Sequence, residues 1–215
     1  PQALVRYRIH GRNMTTDLKR MVMARRAVVQ KHFGPEEGDP AAWPSIRRRA
    51  YGGLYLNMAL AHLQQGHRAQ AQEYLTRAFT VYPQLASKLD AFYEIGCAHQ
   101  PPGFHGVFSH LDLNRSVQDT LESLQAVFEN NTPSPELQRI RSEAYGHAYL
   151  ALGLLAYGCR RMGQARGLLL RAVMVHPPVA LRHRQIVSKF FKSLLGRRLL
   201  DVLKEQRAAL RLKHP

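Results

Sequence analysis

Cys97, His99, His105 and His110 bring one thiol and three imidazoles into a short Pro/Gly-rich stretch. Each of these side chains can hold zinc. The spacing C-x-H-x5-H-x4-H matches no established zinc pattern, so the stretch reads as a solvated loop. Cys97 and Cys159 are the two cysteines, and nothing in the pattern supplies either with a base to make it a nucleophile. They lie far apart, make no disulfide framework, and fit a reducing cytoplasm. Gly52-Gly53 falls within a helical pattern and is not a phosphate-binding glycine loop.

The elements that would position any such chemistry come from the rest of the chain. It has 215 residues, 45% hydrophobic and 21% charged, which is globular composition. No apolar run reaches the roughly 20 residues of a membrane-spanning helix. No signal-peptide pattern is present, and the start at Pro1 reads as a processed product or a piece of a longer polypeptide. The formal net charge is +16, unevenly placed. Residues 1–50 carry 11 basic and 4 acidic side chains, 51–100 carry 3 and 3, 101–150 carry 3 and 6, and 151–215 carry 14 and 2. Basic ends around a neutral or acidic middle suggest terminal segments that face an acidic partner or a phosphate-rich surface. With no nucleic-acid motif beside it, that distribution argues against nucleic acid.

A shift of 94 residues aligns Ile46–Pro83 with Ile140–Pro177 without a gap, at 15 identities in 38 positions. Ala50-Tyr51-Gly52 falls on Ala144-Tyr145-Gly146, and Gln70-Ala71 on Gln164-Ala165. The repetition far exceeds chance and marks a duplication. Each copy reads as two helices: the first over about 45–65 and closed by Gly66, the second with Ala71, Leu75 and Ala78 on one stripe and stopped by Pro83. The pattern resembles the tetratricopeptide repeat through Tyr55, Met58, Ala59, Gly66, Ala71, Leu75, Ala78 and Pro83. The second copy matches through Tyr149, Leu152, Gly153, Ala165, Leu169, Ala172 and Pro177. It departs at Arg160, where the turn glycine is expected; Gly163 comes three residues later. A helix ending at Phe33, capped by Thr15 or Thr16, and one ending at Phe128 precede the two copies. Asp39-Pro40 and Ser134-Pro135 read as N-cap followed by first-turn proline. The expected fold is all-α: duplicated tetratricopeptide-like repeats in an α-α superhelix of about eight or nine helices. Such a superhelix has a concave groove, for which Tyr55, His62 and Tyr149 are the candidates.

Residues 4–10 alternate Val5, Tyr7 and Ile9 against Arg6, Arg8 and His10, a strand signature in a helical chain. A lone strand needs partners from elsewhere. Tyr7-Arg8-Ile9-His10-Gly11-Arg12-Asn13-Met14-Thr15 resembles the end of the catalytic domain of family 2 glycosyltransferases, some bacterial members of which continue into a tetratricopeptide-like extension. The resemblance implies that residues 1–15 are the remnant of an α/β catalytic domain. Residues 16–98 are then the first helical unit, 99–114 a loop, and 115–215 the second unit with a basic tail. It also implies that His10 approaches a divalent metal, Mn or Mg, and the nucleotide-sugar in the parent enzyme. No Asp-x-Asp of that family occurs in the chain. The chain alone is therefore expected to be inactive, to carry no cofactor, and to support a catalytic domain in cis. The other reading is a free-standing module for protein–protein interaction.

From Arg182 to Lys213 ten basic and two acidic residues surround the rows Ile186/Phe190/Leu194 and Val187/Phe191/Leu195. This predicts an amphipathic tail with Phe190, Phe191, Leu194 and Leu195 turned inward. Arg182, Arg184, Lys189, Lys192, Arg197 and Arg198 then form a positive face toward an anionic membrane or an acidic protein surface. The expected location is the cytoplasm, at the inner face of the membrane.

Overall fold

The structure is a computed structural model that describes residues 18–101, 104–129, 133–183, 188 and 190. The segment 4–15 with His10, the Thr15/Thr16 cap, and Arg184, Lys189, Lys192, Arg197 and Arg198 of the tail lie outside the described residues, as do Phe191, Leu194 and Leu195.

Among the described residues the fold is all-α, with nine α-helices and no strand: α1 Leu18–Phe33, α2 Ser45–Gln64, α3 Arg68–Val81, α4 Leu89–Cys97, α5 Leu113–Phe128, α6 Pro135–Arg139, α7 Arg141–Gly158, α8 Met162–Val175 and α9 Pro178–Arg182. Moved by 94 residues, α3 has the bounds of α8 and the end of α2 meets the end of α7. Moved by 95, α1 has the bounds of α5. Asp39 and Ser134 cap as their sequences predict, accepting from Ala41 N at 2.9 Å and Leu137 N at 3.2 Å. The Asp39 cap opens only a single 3-10 turn, Pro40–Ala42. The loop predicted over 99–114 ends earlier, because Asp112 accepts from the Asn114 and Arg115 amides and starts α5 at Leu113.

The repeated Ala-Tyr-Gly has a packing explanation. A Cβ on Gly52 would stand 2.6 Å from Tyr82 Cβ, and one on Gly146 2.5 Å from His176 Cβ. Glycine there lets the first helix of each hairpin cross the end of the second. Alanines 71, 78, 165 and 172, all fully buried, line the same close approach. Tyr51 donates to Gly34 O at 2.6 Å, and its counterpart Tyr145 to Glu129 Oε1 at 3.2 Å, so each tyrosine ties its hairpin to the preceding helix.

The turn within each hairpin also repeats, but its residue does not. Gly66 has φ +79°, and at the matching place Arg160 has φ +59°. His67 N and Arg161 N both close the turn onto a carbonyl five residues back, at 2.9 Å. The backbone demands the left-handed conformation in both copies, and the arginine tolerates it at a cost on the order of 1 kcal/mol. Gly163 lies inside α8 and is not the turn residue.

The two hairpins are joined through α3, which packs on α5, and through α4, which packs on α2, α5 and α7. Gly96 sits so close to α7 that a Cβ would be 2.6 Å from Leu155 Cδ1, and its carbonyl accepts from Ser116 Oγ at 2.7 Å. One core cluster runs from Tyr51, Leu75 and Phe79 through Phe92 and Ile95 to Leu124, Ala144 and Ala151. A charged clamp reinforces the join. Asp119 on α5, 3% exposed, has Arg68 Nε 2.9 Å from Oδ1 and accepts from Arg115 Nε at 3.4 Å, while Arg115 also donates to Leu63 O at 3.2 Å. Both arginines keep contact with water, which lowers the cost of burying the carboxylate.

Candidate functional site

The Pro35–Pro44 loop folds back over the first hairpin and shapes a cleft of about 300 Å³ lined by Glu36, Trp43, Tyr55, Thr76, Arg77 and Val81. Trp43 is pinned by its Nε1 donating to Glu37 O at 3.0 Å, and Arg47 lies 4.2 Å above its ring. Gly38, with φ +80°, turns the loop toward it. Trp43, Tyr51, Tyr55, Tyr74 and His62 then form a chain of neighbouring rings, with centroids 4.9, 6.2, 6.5 and 5.4 Å apart.

Tyr55 is 3% exposed, so its ring belongs to the core and only its edge reaches the cleft. Its hydroxyl donates to Glu36, which also accepts from Arg26 Nη2 at 3.0 Å. Burial, then the bond to Glu36, pushes the Tyr55 hydroxyl far above its ordinary range. A carboxylate engaged by an arginine and a phenol is not a free acid or base. The cleft therefore has no catalytic character: its floor is the buried Trp43 and Val81, 8% and 5% exposed, and the exposed Arg77 stands at its edge. His62 stacks on Tyr74 and is held below the usual imidazole range by burial and by His67. Tyr149 is half-buried in the second unit, 6.4 Å from Tyr145. The same face of the second unit is apolar, with Leu170 51% and Met174 72% exposed.

Sequence reasoning did not single out Glu36, Trp43 or Arg77. The sole tryptophan, placed just before Pro44, was the available signal.

The cysteine–histidine stretch is not assembled into one site. Cys97 is buried and its thiol is pushed up to about 11, mainly by that burial. His99 accepts from Asp112 N at 3.2 Å, His105 pairs with Glu94 at 3.0 Å, and His110 lies against Phe104 at 4.1 Å. Among the described residues no group of three or more His, Cys, Asp or Glu is placed to hold a metal ion. Nor, among them, is any helix long and apolar enough to cross a membrane.

Of the predicted positive face, Arg182 is exposed but bonded to Glu143 Oε1 at 2.7 Å. Phe190 is half-buried against Leu150, Leu169, Ala172 and Val179, consistent with an inward apolar row. Beside Arg182 lies a buried histidine, His147, whose Nδ1 is 3.0 Å from Glu143 O and whose ring neighbours His176 and His183.

Burial chiefly holds His147, His99 and His62 below 6.5. The unfolded chain then takes up protons near that value while the folded chain does not, so stability is full above about pH 6.5 and is lost below it. The melting temperature should fall between pH 7 and pH 5, and His147→Gln should flatten part of that fall. A melting temperature constant over this range would contradict the assignment.

No family model, curated protein or solved structure matches this chain.

Proposed function

We propose that the chain is the helical C-terminal region of a family 2 glycosyltransferase, supporting the catalytic domain in cis and offering its first unit to a protein partner. Support for the binding role comes from the cleft under the Pro35–Pro44 loop with the exposed Arg77 at its edge, and from Leu170 and Met174, 51% and 72% exposed on the same face of the second unit. Exposed arginine and large apolar side chains are enriched at protein recognition surfaces. Support for the parent enzyme comes from the Tyr7–Thr15 sequence and its likeness to the end of the catalytic domain. The nucleotide-sugar and its Mn or Mg ion belong to the upstream domain, with His10 as this chain's contribution.

The test compares the 215-residue chain with the polypeptide that includes its upstream coding sequence. The longer protein should transfer sugar from a nucleotide-sugar and should carry an α/β segment with Asp-x-Asp. The shorter one should show no turnover. Turnover by the 215-residue chain alone overturns this reading. An upstream sequence without such a segment leaves the free-standing interaction module as the better account.

A further inference from the structure

A second, larger groove runs between α1 and α2, about 710 Å³ in volume, with Val28, Val29, Phe33, Ile46 and Ala50 along its floor and Arg25 and Arg49 at its rim. The duplication shows what such a groove is built to hold. The counterparts of α1 and α2 are α5 and α7, and there α4 packs on both. Matching positions differ sharply in exposure. Val28 is 57% exposed where Ser123 is 2%, and the exposed Ala24 and Arg25 correspond to Asp119 and Thr120, at 3% and 0%. Ala50 is half-buried where Ala144 is buried. The first unit thus has a helix-receiving groove with no helix in it among the described residues.

Charge selects the occupant. Neither Leu18–Phe33 nor Ser45–Gln64 contains an Asp or Glu, while α1 carries Arg20, Arg25, Arg26 and Lys31 and α2 opens with Arg47, Arg48 and Arg49. The flanking segments of this sequence are themselves basic: residues 1–17 hold three arginines and one aspartate, and residues 184–215 nine Lys/Arg and two acids. Like charge disfavours both, and with them the end of a second copy. We propose that the α1–α2 groove is the docking site for an amphipathic helix of a partner protein. That helix presents an apolar stripe like Phe92 and Ile95 of α4 to the groove and carboxylates to Arg25 and Arg49. This is helix-in-groove recognition with the position already fixed by the repeat.

The probe is a fluorescein-labelled peptide of residues 86–98 with Cys97→Ser, alongside an acidic version with Lys88→Glu and a basic one with Asp90→Lys and Glu94→Lys. The acidic peptide should bind saturably and about tenfold or more tighter than the basic one, with affinity falling as salt rises. Val28→Asp in the protein should weaken it about tenfold or more, whereas Met23→Asp, 62% exposed on the same helix and outside the groove, should not. Circular dichroism confirms that both variants fold. Equal affinity for acidic and basic peptides overturns the proposal, as does indifference to Val28→Asp. Concentration-dependent self-association that Val28→Asp abolishes would also overturn it, assigning the groove to a second copy.

Discussion

Replacing Phe92 with alanine is expected to destabilise the protein by about 3–5 kcal/mol. The ring is fully buried, 6.1 Å from Phe79, in the cluster that includes Leu124 and Ala144 of the second unit. Its loss leaves a cavity where the two hairpins share a core, and neither can close the gap without moving the other. For a chain of this size the melting temperature should fall by roughly 6–20 °C, and the midpoint of urea denaturation should drop in one transition. Met23→Ala, at a site 62% exposed, should change stability by less than about 0.5 kcal/mol. A Phe92→Ala protein within 1 kcal/mol of the parent would mean that the units do not depend on this contact.

Two adjacent glycines in α2 should respond in opposite directions to the same substitution. A Cβ at Gly53 meets nothing within 4 Å, so Gly53→Ala should stabilise by about 0.5–1 kcal/mol through helix propensity and a less flexible unfolded chain. A Cβ at Gly52 lands 2.6 Å from Tyr82 Cβ, 3.2 Å from Leu85 Cδ1 and 3.4 Å from Ala78 O. The propensity gain is the same, but the clash is with a Cβ, which cannot swing away on a side-chain torsion. Gly52→Ala should therefore be net destabilising, by about 1–3 kcal/mol. The same sign is expected at Gly146, against His176 Cβ. Thermal melts of the three single variants decide the matter. Equal stabilisation by Gly52→Ala and Gly53→Ala would remove the crossing as the reason for the repeated Ala-Tyr-Gly.

The helices were legible because apolar periodicity and an ungapped duplication point the same way. The bounds of α3 and α8 follow from Gly66 and Pro83 in one copy and from homology in the other. The sequence reading of α5 was too narrow. Apolar spacing alone puts Val117, Leu121, Leu124, Val127 and Phe128 inward, yet Ser116, Asp119, Thr120 and Ser123 are buried while Val117 and Leu121 are half-buried. Packing of α5 against α3, α4 and α7 requires a wider inner face. The Ser116 hydroxyl is satisfied across the contact on Gly96 O and that of Ser123 on the Asp119 carbonyl one turn back, so serines fit there. The cleft under the Pro35–Pro44 loop was not legible as a site, because loop closure by Trp43 onto Glu37 O has no periodic signature. Tyr55 and His62 are identified on the right helix; Tyr55 is a core residue that also lines the cleft, and His62 is half-buried and stacks on Tyr74.

The position of α4 carries a consequence for how the molecule can be divided. Chain order assigns α4 to the first half, yet its apolar side completes the second. A cut in the connection between Cys97 and Leu113 would leave one fragment with an uncovered helix and the other with an empty seat for it. The two pieces would be sticky toward each other before either was stable alone, and reassembly would restore the parent fold. The heritable unit of this protein is the sequence repeat, whereas the unit that folds is the pair.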